Sequence, residues 1–157
     1  VVWTQYSLYK EYWVHTTHKI DYAIVDVTKG NKDSKDTTIA KAIDKQFICS
    51  NGDVIKKGTT IYIERQGKMP MPLDVVVYTE KGGTEKITTY KIPLEIMRGV
   101  KKDDITEGTP NLVNDWKWTH PVYALHIPMK LADITKIEID PSLRLADIDR
   151  DDNTWEK

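Results

Sequence analysis

The chain has 157 residues, of which 39% are hydrophobic and 30% are charged, and its formal net charge at pH 7 is -1. This length predicts one domain, and the composition shows no low-complexity bias that would indicate disorder. Lys and Arg are interleaved with Asp and Glu, so we expect no basic stripe and no nucleic-acid partner, and no apolar run is long enough for a membrane span.

The first fourteen residues have the pattern of a short amphipathic helix. The aromatic residues Trp3, Tyr6, Tyr9 and Trp13 recur at spacings of three and four, which places their rings on one stripe. An aromatic stripe packs against another surface, either elsewhere in this chain or on a further domain. The sequence begins with Val1 rather than Met, which favours a fragment or a processed protein.

Strands are predicted from residue 19 onward, where the hydrophobic period changes to two. In KIDYAIVDVT, residues 19–28, Tyr22 and Ile24 share one face of a strand, and Val25 and Val27 share the other. Further strands are predicted in TTIYIERQG, LDVVVYTE, EKITTYKIPL, VYALHIPM and ITKIEIDP. Together they predict a mainly β chain that folds as an antiparallel sandwich over residues 19–157.

The connections between these strands are short, with two exceptions. Residues 81–84, Lys-Gly-Gly-Thr, predict a hairpin turn. Residues 99–114 are predicted to be a loop. Residues 29–58 open with a polar loop, and the apolar spacing between residues 39 and 47 is compatible with a short helix or with an irregular strand.

Two of the four histidines lie close enough in sequence to be candidate zinc ligands. His15 and His18 are three residues apart and separated by two threonines, whereas the zincin pattern places two histidines four apart with a glutamate between them. Adjacent β-branched threonines favour the entry to a strand over a helix. We therefore expect no metal there. His120 and His126 have no nucleophile or carboxylate at a useful spacing, and we expect them to be structural or exposed.

The acidic tail is the remaining metal candidate. Asp147, Asp149 and Asp151 alternate as in the first half of a calcium loop. The sixth position of such a loop is glycine, and here it is Asp152. The tail is therefore a weak calcium candidate, and the alternative is a solvated acidic terminus.

Two further features bear on binding and reactivity. Trp116 and Trp118 are two residues apart, so on a strand they would share a face, either as a stacking platform for a sugar ring or as part of the core. Cys49 is the single cysteine, so no disulfide forms within the chain, and we expect a buried thiol without a catalytic role.

Three stretches of the sequence resemble parts of one known protein family. They are YKEYWVHTTHKIDYAI at residues 9–24, YIERQGKMPMPLDVVVYTEKGG at residues 62–83 and IEIDPSLRLADIDRDDN at residues 137–153. Together they resemble the C-terminal part of bacterial zinc metallopeptidases of the aminopeptidase N family, the gluzincins. In that family a thermolysin-like catalytic domain ends in a helix with an aromatic stretch, and a β-sandwich domain follows it.

The resemblance implies an immunoglobulin-like sandwich over residues 19–157 and assigns residues 1–14 to the last helix of a catalytic domain outside this chain. The aromatic stripe would then be an interdomain interface, zinc would be bound in that catalytic domain, and the location would be periplasmic or at the cell envelope. The family's motifs, His-Glu-x-x-His and Gly-x-Met-Glu-Asn, do not occur here. No catalytic residue or zinc ligand is therefore carried over, and we expect no enzyme activity from this chain alone. The alternative is an independent carbohydrate- or protein-binding module.

Overall fold

The computed structural model of the protein describes residues 19–30, 47–95 and 110–157, together with Ser7. The chain is mainly β in these ranges. The strands are β1 (Tyr22–Lys29), β2 (Ile48–Ser50), β3 (Thr59–Arg65), β4 (Leu73–Lys81), β5 (Thr84–Ile92), β6 (Asn111–Leu112), β7 (Val122–Ile127), β8 (Ile134–Ile139) and β9 (Thr154–Glu156), and one 3₁₀ turn spans Leu131–Asp133. The N-terminal helix predicted over residues 1–14 lies outside the described residues, apart from Ser7, and stays a prediction.

The strands form two mixed sheets. The first has the order β1-β3-β7-β2, and the second has the order β6-β5-β4-β8-β9. Most neighbours are antiparallel, but β2 pairs with β7 and β6 pairs with β5 in parallel. The predicted mainly β class is confirmed, whereas the purely antiparallel arrangement is wrong at these two pairs. Both involve short strands that are far along the chain from their partners, and a long connection permits parallel pairing.

One buried hydrophobic cluster takes side chains from both sheets. The first sheet contributes Ile61 and Ile63 of β3 with Leu125 of β7, and the second contributes Val75 and Val77 of β4, all at 0% exposure. These residues follow the period of two that the sequence shows, so alternate side chains of each strand face the shared core. The two sheets are therefore held together mainly by burial of apolar surface.

Strand β1 departs from simple alternation. The pairing of β1 with β3 shifts between Ile24 and Asp26, which leaves Val25 as a bulge. Beyond the bulge Val27 packs against the same core cluster as Tyr22 and Ile24. The prediction that Val27 shares a face with Val25 is thus wrong, because the extra residue reverses the alternation of the strand.

The hairpin predicted at residues 81–84 is confirmed. Lys81 pairs with Thr84, and Gly82 and Gly83 have φ angles of 62° and 80°. Positive φ at both central residues is the geometry of a type I′ turn, which matches the twist of antiparallel strands. Strand β6 lies within the predicted loop 99–114, and β2 lies within the undecided stretch 29–58. No helix among the described residues is both long and apolar enough to cross a membrane.

Candidate functional site

Trp116 is part of the core. Its indole is 2% exposed, and its Nε1–H donates to the His120 carbonyl at 2.6 Å. The rings of Tyr22 and Tyr123 lie 5.5 and 5.4 Å from it, centroid to centroid. A buried indole has no face to offer a sugar ring, so the stacking platform predicted from Trp116 and Trp118 does not form. Trp116 makes only an isolated bridge with Leu94, and Trp118 lies in a turn, so the two indoles do not share a strand face.

Trp118 lies at a surface cavity instead. It is half-buried, and its carbonyl accepts a hydrogen bond from the Arg65 guanidinium at 2.8 Å. The cavity has a volume of about 630 Å³. It is lined by Arg65, Gln66, Gly67, Lys68, Pro70, Trp118 and Thr119.

The acidic turn, defined here as residues 147–153, is fastened to the start of β1. Asp147 Oδ2 accepts hydrogen bonds from the backbone N–H of Tyr22 at 3.2 Å and from the Asn153 amide at 3.1 Å. Its Oδ1 accepts from the Asp149 N–H at 3.1 Å, and Asp149 in turn accepts from the Asp151 N–H at 3.2 Å. The alternating aspartates therefore form successive side-chain-to-backbone turns, a structural use of this spacing.

Negative charge accumulates around this turn. Burial, followed by the charge of Asp149 and of its neighbours, raises the pKa of Asp152 to about 6. Burial also raises the pKa of Asp21, with Asp147 as the next cause. One carboxylate oxygen of Asp21 and one of Asp152 are buried without a hydrogen-bond partner, as is Oδ1 of Asn153. Desolvation and like charge both disfavour ionisation of these carboxyl groups.

The described residues do not include a group of three or more His, Cys, Asp or Glu side chains placed to hold a metal ion. Of the predicted calcium candidates, Asp147 has both oxygens engaged in hydrogen bonds, while Asp149 and Asp151 are exposed. Calcium at the acidic turn stays a hypothesis. His15 and His18 lie outside the described residues, so the expectation that they bind no metal stays a prediction.

His126 and Cys49 are structural. His126 is 7% exposed, its Nδ1 lies 2.9 Å from Thr60 Oγ1, and burial lowers its pKa. Its backbone N–H and carbonyl both bond to the side-chain amide of Asn51, at 2.7 and 2.8 Å. The Cys49 thiol is 8% exposed, accepts a hydrogen bond from the Lys117 N–H at 3.3 Å, and has its pKa raised by burial. A buried thiol with a raised pKa is a poor nucleophile.

The structure also reveals a site that the sequence did not indicate. At the end of the sheets away from the acidic turn lies a cavity of about 690 Å³. It is lined by Lys29, Lys56, Lys57, Lys130, Leu131, Ala132 and Lys157, and is called the lysine cavity below. Its lysines come from separate segments, so no window of the sequence is basic, and only the fold brings them together.

The aromatic residues Trp3, Tyr6, Tyr9 and Trp13, predicted to form an interface, lie outside the described residues. Comparisons of the chain with protein-family models, with curated proteins and with solved structures found no match.

Proposed function

We propose that this chain is a non-catalytic C-terminal domain of a zinc metallopeptidase resembling the aminopeptidase N family, in which it packs against a catalytic domain and supports it. The proposed architecture is an immunoglobulin-like sandwich. Its support is that two sheets share a single core cluster. The proposed partner is the catalytic domain of the same polypeptide, which would hold the zinc.

The observation that carries the proposal is that the three stretches of the resemblance meet at Tyr22. The Tyr22 backbone N–H donates to Asp147, which belongs to the third stretch, at 3.2 Å. The Tyr22 hydroxyl accepts from the Met71 N–H at 2.7 Å and lies 3.2 Å from the Met71 carbonyl, within the second stretch. Tyr22 itself is 1% exposed and belongs to the first stretch. Residues distant in sequence that satisfy one another in this way are those that specify a particular domain fold.

The described residues of these stretches have structural roles. Asp147 caps backbone groups, Tyr22 and Ile63 fill the core, and Gly82 forms a turn. The described residues of these stretches do not place a nucleophile, a base and an orienting group together in one cleft, as a catalytic centre requires. This division of roles agrees with a supporting domain whose chemistry lies on another part of the polypeptide.

The proposal is tested by comparing two proteins. The purified chain should bind no stoichiometric zinc and should not hydrolyse aminoacyl p-nitroanilides. A longer protein that includes the coding sequence upstream of Val1 should contain His-Glu-x-x-His, bind zinc and hydrolyse these substrates. Tight binding of one zinc per purified chain, or an unrelated sequence upstream, would overturn the proposal.

A second candidate function, an independent carbohydrate-binding module, has one observation in its favour. Half-buried Trp118 lines a cavity together with the polar side chains of Arg65, Gln66 and Thr119. An aromatic face beside hydrogen-bonding groups is a common way to hold a sugar. Titration with oligosaccharides, followed by tryptophan fluorescence, decides between the two functions. A change that Trp118→Ala abolishes would favour the binding module.

A further inference from the structure

The lysine cavity is built from four separate segments of the chain. Lys29 ends β1, Lys56 and Lys57 form the turn before β3, Lys130 lies between β7 and β8, and Lys157 follows β9. All four segments reach the same end of the two sheets because the strands that carry them alternate in direction. The cationic cavity is therefore a product of topology.

Two close approaches hold the Lys29 and Lys56 segments together. The Gly30 N–H donates to the Gly58 carbonyl at 2.8 Å, with Gly30 at a φ of 51°. A side chain at Gly30 would collide with the Lys56 carbonyl oxygen, so the chain passes there only because residue 30 is glycine. The Thr59 hydroxyl donates to the Met129 carbonyl at 2.8 Å and ties this turn to the segment that carries Lys130.

Lys157 is also fixed in place. Its backbone N–H donates to the Thr135 carbonyl at 3.1 Å, and its ammonium donates to the Ala132 carbonyl at 2.7 Å. An ammonium group has three donors, so two remain for a ligand in the cavity. Hydrogen bonds therefore fix the position of Lys157, and its ammonium group keeps its positive charge for a ligand.

Among the described residues, no acidic side chain offsets the positive charge of the lysine cavity. In the part of the chain that the structure describes, none of its five lysines lies within 4.0 Å of a carboxylate, and no acidic residue lines it. A neighbouring cavity of about 410 Å³ shares Lys130 and adds Lys81 and Lys86, with Asp133 as its one carboxylate. Like charges held close together repel one another, and a bound anion would relieve that repulsion.

We propose that the lysine cavity binds a small polyphosphate, an anion that carries several linked phosphate groups. The volume of the cavity lies within the range of about 300–1,000 Å³ that is usual for small-molecule sites. Lysine binds phosphate as a point charge without the paired geometry of arginine, so such a site selects by charge more than by shape. The concave form of the site suits a compact anion better than a flat membrane surface.

The test is calorimetric titration of the full chain with inorganic tripolyphosphate, pyrophosphate and orthophosphate. We expect one tripolyphosphate per chain, with affinity falling as the number of phosphate groups falls. Binding should weaken about tenfold or more between about 50 and 200 mM NaCl, because added salt screens the lysines. The double variant Lys56→Glu/Lys130→Glu should lose about tenfold or more in affinity.

The matched control is Lys19→Glu/Lys117→Glu, which makes the same change of charge at two exposed lysines that line none of the cavities described above. It should bind tripolyphosphate nearly as well as the native chain. The neutral variant Lys56→Gln/Lys130→Gln should show a smaller loss than the charge reversal, and it keeps the test valid if the reversal perturbs folding.

Three results would overturn the inference. They are equal losses in the cavity variant and the control, a dissociation constant weaker than about 1 mM at low salt, and tighter binding of hexaglutamate or of a short single-stranded oligonucleotide than of tripolyphosphate. The inference is independent of the proposed supporting role. Failure to bind phosphate would leave that role unchanged, and zinc in the purified chain would leave the lysine cavity unchanged.

Discussion

Asp147 is a charged residue that the fold uses as a backbone acceptor. It is 9% exposed and accepts three hydrogen bonds, two of them from N–H groups of Tyr22 and Asp149. Its neighbour Asp151 is exposed, and only its backbone N–H is engaged within the turn. Asp147 and Asp151 are only four residues apart, but we expect Asp147 to contribute much more to the stability of the domain.

We expect Asp147→Ala to lower the free energy of unfolding by about 2–3 kcal/mol, because it leaves the buried Tyr22 N–H without a partner. Asp151→Ala, the matched control, should change it by less than about 0.5 kcal/mol. Urea denaturation followed by circular dichroism measures both. If the turn were a calcium loop, Asp151→Ala would also abolish a calcium-dependent rise in melting temperature, and that result would contradict the structural assignment.

Asp152 makes stability depend on pH. Its folded-state pKa of about 6 is above the ordinary value of 3.8, so its favourable contribution is fully present below 3.8 and is lost as the pH rises through 6. We expect Asp152→Asn to stabilise the domain at pH 7.5 by up to about 1 kcal/mol after solvent screening. The gain should shrink towards zero near pH 4.

The measurement for Asp152 is the difference in melting temperature between variant and native chain across this range. A difference is needed because His126 acts in the opposite direction. Burial lowers the pKa of His126 below 6.5, so stability from that residue is lost as the pH falls below 6.5. A pH-independent difference for Asp152→Asn would contradict the conclusion that burial and neighbouring negative charge raise the pKa of Asp152.

At the scale of the elements, a glycine can allow two segments of the chain to come into close contact. Gly30 and Gly82 both have positive φ, at 51° and 62°, but only Gly30 faces backbone atoms of another segment. Asparagine tolerates positive φ better than most residues. We therefore expect Gly82→Asn to change stability by less than about 0.5 kcal/mol and Gly30→Asn to destabilise by about 1–3 kcal/mol through overpacking against Lys56. Thermal unfolding of the two variants tests this, and equal effects would contradict it.

The longer strands were predictable because burial of one face imposes a period of two on the sequence. Ile61 and Ile63 show this period, and they lie in the core. Strands β2, β6 and β9 have two or three residues each, too few for any period to be detected. The bulge at Val25 was also not predictable, because nothing in KIDYAIVDVT distinguishes an extra residue from an ordinary one.

The candidate sites were less predictable than the strands, because they depend on contacts between distant segments. Trp116 gave an ambiguous signal, and only its contacts with Tyr22 and Tyr123 place it in the core. The alternation of Lys and Arg with Asp and Glu along the chain predicted no basic stripe. Such a pattern describes only residues that are close in sequence, and it does not show which lysines the fold brings together. Lys29 and Lys157, for example, lie far apart in sequence and at the ends of strands in different sheets, and they line one cavity only because the two sheets pack together.

At the scale of the whole molecule, the net charge is only -1, yet the described residues form two ends of opposite sign. The acidic turn and Asp21 lie where β1 begins, and the lysine cavity lies where β1 ends. A field that changes sign along the molecule orients an approaching charged partner. The two ends therefore offer different surfaces to a neighbouring domain and to a small anion, and the two proposals use different parts of the molecule.

The proposed domain boundary leads to a prediction for the whole chain. The described core, from Ile20 to Trp155, belongs to residues 19–157, and residues 1–14 are proposed to belong with another domain. A chain that begins at Lys19 should therefore unfold cooperatively, with a free energy of unfolding within about 1 kcal/mol of that of the full chain. It should also aggregate less, since it lacks the predicted aromatic stripe that includes Trp3 and Trp13.

The matched truncation removes residues 147–157 from the other end. This variant loses β9 and the bonds that Asp147 makes to the start of β1, so we expect it to lack the near-ultraviolet circular dichroism of a packed core. Loss of that signal on removal of residues 1–14 instead would show that the aromatic stripe packs on this domain's own core. That result would contradict the proposed role of the stripe as an interface with a catalytic domain.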